Sequence, residues 1–516
     1  MNQNPAPKFS AKKILKIVLV VSFLLFVFLL LPLQIPWNSS VDRFIAGKYG
    51  FTRSDAPRTP SGMIDITKIT NDKLAEGITA ENNIVVDYVQ IFKGEPVSAE
   101  FEAQLLRRLQ MNSADGPHQW TKWEYSDDTA DEFDMALSQP WLASENQLAH
   151  DWITANNAAL DQLVTASHKP RYYHPLISEN SEDTLSCQLP YAQQARSAAR
   201  GLTARALNRV ALGDLDAALA DVAATRRLGT LMQQGGTLVE NLVGMAMVGI
   251  AVDAESKILA SGKLTDQQCA DYRKTVSLNT GWGSLASTIK TGERAFHMDA
   301  IQRFEGQSGF LESIGLEPSN NLAMLSKLRR VTDWEQAAQI SDEFTTRMNE
   351  ALEVKDDADR LQRLKDLEIE LQEIQARSES FGEQAAIFLG AGARGRIAGE
   401  ACIVMLSSSI RQIEKAAIRT RQHSDFSDLG FAIEQYRIAN GSFPNDLSEL
   451  TPKFISKLPI DRFTGNAPRY ELMTDRTGYR LSSTSEDKIF DSITPLDEAE
   501  TGIDALSDTS FTVVIE

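Results

Sequence analysis

Apolar residues fill nearly every position of IVLVVSFLLFVFLLLPLQIPW, which starts at Ile17, and no charge interrupts residues 17–40. A helix crossing a bilayer needs about 20 such residues, so this run predicts a transmembrane anchor over 14–36. Further on, apolar positions recur every three or four residues. EFEAQLLRRLQM (100–111) and LAHDWITANNAALDQLVTA (148–166) read as amphipathic helices. LVENLVGMAMVGIAVDAESKIL (238–259), with Gly244 and Gly249, is apolar all round and predicts a helix buried in a bundle. The charged stretch 341–378 carries Leu364, Leu367, Leu371 and Ile374 in 3-4-3 spacing, which predicts a solvated helix or one arm of a hairpin. IAGEACIVMLSSSI (397–410) is too short to span and holds Glu400, so it predicts a buried helix. Alternation appears only near the end, in RYELM and YRLSS around DRTG, and predicts a β-hairpin.

Punctuation divides these elements. ARSAARGLTARALNRVALGDLDAALADVAATRRLGTLM (195–232) is two alanine-rich helices broken at Gly213-Asp214, where glycine ends one helix and aspartate caps the next. With Ala206, Gly213, Asp214 and Ala218 at their offsets it resembles a tetratricopeptide-type hairpin. An ordinary helical pair is the alternative, because a solenoid needs about three copies and no second is visible. Pro170, Pro175 and Pro190 bound an irregular piece, HKPRYYHPLISENSEDTLSCQLP. GAGARG (390–395) fits a dinucleotide fingerprint, but no second βαβ unit accompanies it, so it reads as a glycine-rich break between helices.

The stretch FAIEQYRIANGSFPNDLSEL (431–450) combines a helix face (Leu429, Ile433, Tyr436, Ala439), a stop at Asn440-Gly441, a proline, and an Asp446/Glu449 capping box. LPIDRFTG and the hairpin follow. This order resembles the globular domain of the major pseudopilins of type II secretion systems. The residues that carry it are Tyr436, Asn440, Gly441, Phe443, Pro444, Leu447, Leu450, Leu458, Pro459, Asp461, Phe463, Thr464, Gly465, Tyr470, Gly478, Tyr479 and Leu481. Their roles are structural: stops, turns and core. The family binds calcium in a loop after its last strands. The corresponding Ser485, Glu486, Asp487 and Asp491 offer the oxygens calcium takes, with a plain acidic loop as the alternative. The head lies some 400 residues after the anchor and no prepilin-peptidase motif is visible, which departs from a pseudopilus subunit. The wider layout is similar to that of uncharacterised bacterial membrane-anchored proteins, a resemblance that brings no activity.

The predicted organisation is a cytoplasmic basic tail (1–13), the anchor (14–36), a stalk (37–63), a helical body (64–390), a connecting helix (391–424), an α+β pseudopilin-like domain (425–495) and an acidic tail (496–516). The fold class is therefore mainly α. Lys8, Lys12, Lys13 and Lys16 precede the apolar run, so the N-terminus is expected in the cytoplasm and the bulk outside it, and the resemblance to bacterial proteins implies the bacterial inner membrane. A cleaved signal peptide is the rival reading. The net charge of −18 argues against a nucleic-acid partner. Cys187, Cys269 and Cys402 form no metal motif, and either one disulfide or buried thiols would suit them. Of the six histidines only His168 and His174 are close, and a metal there needs carboxylates from elsewhere. No catalytic constellation and no cofactor motif stands out. The leading expectation is a non-enzymatic envelope module with a protein partner. The alternatives are an accessory component of a type II secretion or pilus-like system, or a hydrolase built from scattered residues such as His168 and His174.

Overall fold

The computed structural model describes residues 41–93, 97–124, 126, 129–178, 183–277, 283–307, 309, 320–378, 380–407, 409–483 and 509–515. The predicted anchor and the 485–491 loop lie outside them. Among the described residues no helix is long and apolar enough to cross a membrane. The fold is mainly helical, with one small antiparallel sheet, and the chain divides into two compact units.

The first unit comprises Met1–Ile66, Phe296–Phe344 and Ile369–Ser408. Residues expected as stalk are packed here. VDRFIAGK forms a helix, Val41–Lys48, that buries Val41, Ile45 and Ala46, and Lys48 Nζ sits 2.6 Å from Asp342. Ile64 exchanges two hydrogen bonds with the Gln302 amide, at 3.2 and 2.9 Å. The Pro and Gly content of this stretch predicts a stalk, but the one-turn spacing of Val41 and Ile45 lets a short helix bury one side. The helix Ala391–Ser407 buries Ile397, Ala398, Cys402 and Ile403, as its apolar run implied. In GAGARG, Gly390 makes the break at φ +157° and the rest is helix. The helix Phe381–Ala386 precedes it in place of the strand a dinucleotide site needs. Arg394 is buried and donates to the Val331 and Ile387 carbonyls at 3.0 Å each.

The second unit comprises Thr67–Ala295, Thr345–Glu368 and Ser409–Glu516. Its main helices are α1 (Gln147–Ala166), α2 (Ala192–Leu212), α3 (Leu215–Met232), α4 (Leu238–Ala260), α5 (Asp266–Ser277) and α6 (Ile410–Asn440). The α2–α3 hairpin turns where the sequence placed it. Gly213 takes φ +81°, a conformation costly to side chains with a Cβ, and Asp214 accepts from Ala217 N at 3.3 Å. Arg205 grips Asp221 through two buried hydrogen bonds of 3.0 and 2.6 Å. Between α3 and α4 the backbones touch at Gly229 and Gly244: a Cβ on Gly244 would lie 2.5 Å from the Gly229 carbonyl oxygen. The helix expected to be buried all round is largely so, but Val239 and Leu242 are exposed.

The C-terminal region departs from its predicted division. α6 runs unbroken across residues 424 and 425, since nothing in AAIRTRQHSDFSDL breaks a helix. It ends at Gly441, φ +76°, and the capped 3₁₀ turn Leu447–Leu450 follows. Strands β1 (Arg469–Leu472) and β2 (Gly478–Ser483) form the expected hairpin, with Tyr470 opposite Leu481. A third strand, β3 (Thr509–Val514), completes the order β1-β2-β3, pairing Leu481 with Phe511 and Tyr479 with Val513. Part of the expected acidic tail is therefore sheet. The sheet and α6 also share one core with α2–α5: Phe426, Leu429, Ile433, Tyr479, Phe511 and Val513 pack with Val222, Val248, Ile258 and Tyr272.

Candidate anion-binding site

Within the second unit, α3, α5, α6 and the segment 454–462 enclose a cleft of about 590 Å³. Six cationic side chains line it (Arg226, Arg273, Lys274, Arg421, Lys457 and Arg462) against two carboxylates, Asp425 and Asp428. Hydroxyls of Thr230, Ser277, Ser424, Ser427 and Ser456 and apolar surface from Val276, Phe431, Phe454 and Ile455 complete the wall. Glu255, Glu414 and Asp357, outside the lining, pair with three of the arginines, which leaves six cations against five carboxylates.

Burial and pairing sort the cations. Arg226 enters from α3 and donates through Nη1 to both oxygens of Glu255, at 2.8 and 2.7 Å. Glu255 is fully buried on α4 and also accepts from the hydroxyls of Tyr272 and Ser427. Burial opposes the Arg226 charge, but the Glu255 carboxylate outweighs that and raises its pKa. Burial, and then Glu255, lifts the Tyr272 hydroxyl well above its ordinary range, so it stays a donor. Arg273 forks onto Asp428 at 2.9 and 3.1 Å and reaches Gln435 and the Phe454 carbonyl. Arg462 pairs with Asp425 at 2.7 Å and Asp357 at 3.3 Å, and burial pushes the Asp425 carboxyl up against that pairing. Arg421 pairs with Glu414 at 2.7 Å. Lys274 and Lys457 differ: both are exposed, and neither has a carboxylate partner among the described residues. Ser424 is 7% exposed, and its Oγ is shut off from solvent and has no hydrogen-bond partner among the described residues.

The residues singled out in the sequence lie elsewhere. The calcium candidates Ser485, Glu486, Asp487 and Asp491 fall outside the described residues. Among those described, no group of three or more His, Cys, Asp or Glu is placed to hold a metal ion. His168 Nε2 lies 3.3 Å from Arg227 Nη2. His174 is buried with its ring 6.0 Å from that of Tyr191, and burial drops its pKa to about 4. Cys269 and Cys402 are buried free thiols, and Cys187 Sγ donates to the Asp183 carbonyl.

The C-terminal motif residues hold local structure. Tyr436 donates to Glu449, and Asn440 Nδ2 to the Tyr436 carbonyl at 2.9 Å. Gly441 ends α6. Phe443 packs edge-on against buried Tyr479 at 5.3 Å, and the Pro444 carbonyl accepts from Tyr470. Pro459 is half-buried. Asp461 Oδ1 accepts from the backbone N–H groups of Phe463 and Thr464, at 2.8 and 3.1 Å, and Gly465 takes φ +72°. Asp461 and Pro459 also shape the loop that carries Arg462 and Lys457.

Sequence reasoning missed the cleft because its cations are scattered from 226 to 462. The available signal was weak: Arg226-Arg227, Arg273-Lys274 and Arg419-x-Arg421 are basic pairs near the ends or middle of helices. Compared with known proteins, the chain matches no family model, no curated protein and no solved structure.

Proposed function

We propose that this protein is a non-enzymatic binding module of the bacterial envelope, anchored by its N-terminal helix, whose basic cleft takes up a small anionic ligand. The observation that carries the reading is the pair of lysines, Lys274 and Lys457, that line the cleft without a carboxylate partner among the described residues, in a cleft whose volume lies in the usual range for small-molecule sites. The lysines before the uncharged run 17–40 support the anchored orientation. The test is thermal unfolding of the full-length chain in detergent, with sulfate or phosphate against chloride at matched ionic strength. A specific anion at about 100 times its Kd adds about 2.7 kcal/mol of stability. The Lys274→Glu/Lys457→Glu variant should lose that gain. Equal shifts in both proteins would refute the reading. A periplasmic reporter fused at Gly62 should be active, and a silent one would refute the anchored orientation.

A second reading, an accessory component of a type II secretion or pilus-like system, is favoured by the order of the C-terminal region: long helix, capped 3₁₀ turn, antiparallel sheet. Deleting 425–516 would not test it, because Phe426, Leu429 and Ile433 belong to the shared core. Crosslinking of the intact chain followed by mass spectrometry would. Recovery of envelope proteins unrelated to secretion would count against it.

A further inference from the structure

Resting on that reading, we propose that the ligand of the cleft is a small phosphomonoester, its dianionic phosphoryl group held by Lys274, Lys457 and Ser424 and its organic group by Phe454, Ile455 and Val276. Arg226, Arg273, Arg421 and Arg462 each hold a carboxylate at 2.7–2.9 Å. They shape the wall and set its potential, each with its charge answered by a carboxylate in place. Two ammonium groups remain without a carboxylate among the described residues, which matches a ligand of two negative charges.

Ser424 points to the same chemistry independently. A hydroxyl buried to this degree and left unsatisfied costs about 1–3 kcal/mol, a loss that an acceptor in the cleft would remove once the Ser424 side chain turns to another rotamer to meet it. A phosphoryl group supplies about two charges and three strong acceptor oxygens at one centre. It suits ammoniums that come from two walls, α5 and the 454–462 segment, and a hydroxyl that comes from a third, α6. A single carboxylate carries one charge and is matched best by a guanidinium fork, whereas the two cations without a carboxylate here are ammoniums. Size and charge exclude a polymer. The cleft has the volume of a small-molecule site, and an overall charge of −18 repels polyanions at longer range.

The test is titration calorimetry on the full-length chain in detergent, with phenyl phosphate, inorganic phosphate and succinate as probes. Phenyl phosphate should bind more tightly than inorganic phosphate, because its ring meets the apolar wall. Lys274→Gln/Lys457→Gln should weaken it by about tenfold or more, and Ser424→Ala by several-fold. Both lysines are exposed, so the double variant should keep the wild-type circular dichroism. Affinity should fall between about pH 7.5 and pH 5, as the phosphoryl group regains its second proton near pH 6. Succinate binding as tightly as phenyl phosphate would overturn the phosphomonoester assignment and leave the anion site standing. No heat with any of the three would overturn both.

Discussion

Glu255 is where the second unit should be most sensitive to one substitution. It is fully buried on α4 and receives Arg226 from α3, Tyr272 from α5 and Ser427 from α6, so one carboxylate joins four helices. Glu255→Leu keeps most of the volume and removes every acceptor. Arg226 is 7% exposed and cannot shed its proton, so it becomes an uncompensated buried charge. That term costs about 3–5 kcal/mol. Two orphaned hydroxyls add roughly 1 kcal/mol or more each. The single variant should therefore lose about 5 kcal/mol or more, a large part of a typical folding free energy. Arg226→Met with Glu255→Leu removes both charges and leaves only the hydroxyl cost, so it should lie about 3 kcal/mol above the single variant. Urea titration followed by far-ultraviolet circular dichroism would measure both at a common slope. Salt should leave the difference unchanged, since a buried pair is little screened. A single variant that loses under about 1 kcal/mol would refute the reasoning, as would a double variant no more stable than the single.

Other expectations follow from the same packing. Gly244→Ala would drive a Cβ to 2.5 Å from the Gly229 carbonyl oxygen, so its gain of about 1 kcal/mol in helix propensity should be outweighed and the melting temperature should fall. Gly249→Ala, on the same helix with nothing within 4 Å, should raise it; matching signs for the two would show that the close approach does not decide the outcome. Burial raises Glu240 to about 7 from an ordinary 4.5, so the folded state binds the extra proton and stability should fall as pH rises from 4.5 to 7, by up to about 3 kcal/mol. Glu240→Gln should flatten that slope in unfolding measured across the range, and an unchanged slope would refute the assignment. His174 works in the opposite sense: burial holds it near 4 against an ordinary 6.5, so its contribution is lost as pH falls through that window, and His174→Phe should remove the loss.

What was readable beforehand was local. A helix stop needs one residue that tolerates a left-handed backbone and one that caps, and Gly213-Asp214 and Asn440-Gly441 state this within two positions each. The β1–β2 hairpin was readable because its partners are a few residues apart. β3 was not, although FTVV alternates and buries Phe511 and Val513, because its partner strand lies more than 25 residues upstream and no turn signal joins them. The expected boundary at 424/425 arose from where the pseudopilin resemblance begins, whereas helix continuity depends only on the absence of a breaker and ignores such limits. The same contrast explains the cleft. Arg226, Arg273 and Arg462 each sit within a few residues of an acidic side chain in sequence, so any local window reads as an ordinary mixed surface. Only packing of α3, α5, α6 and the 454–462 segment turns the three toward one volume while the acidic sequence neighbours Asp221 and Asp271 are used elsewhere or left in solvent. A net charge of −18 makes the outer surface acidic on average, but it places no constraint on the sign of one concave wall.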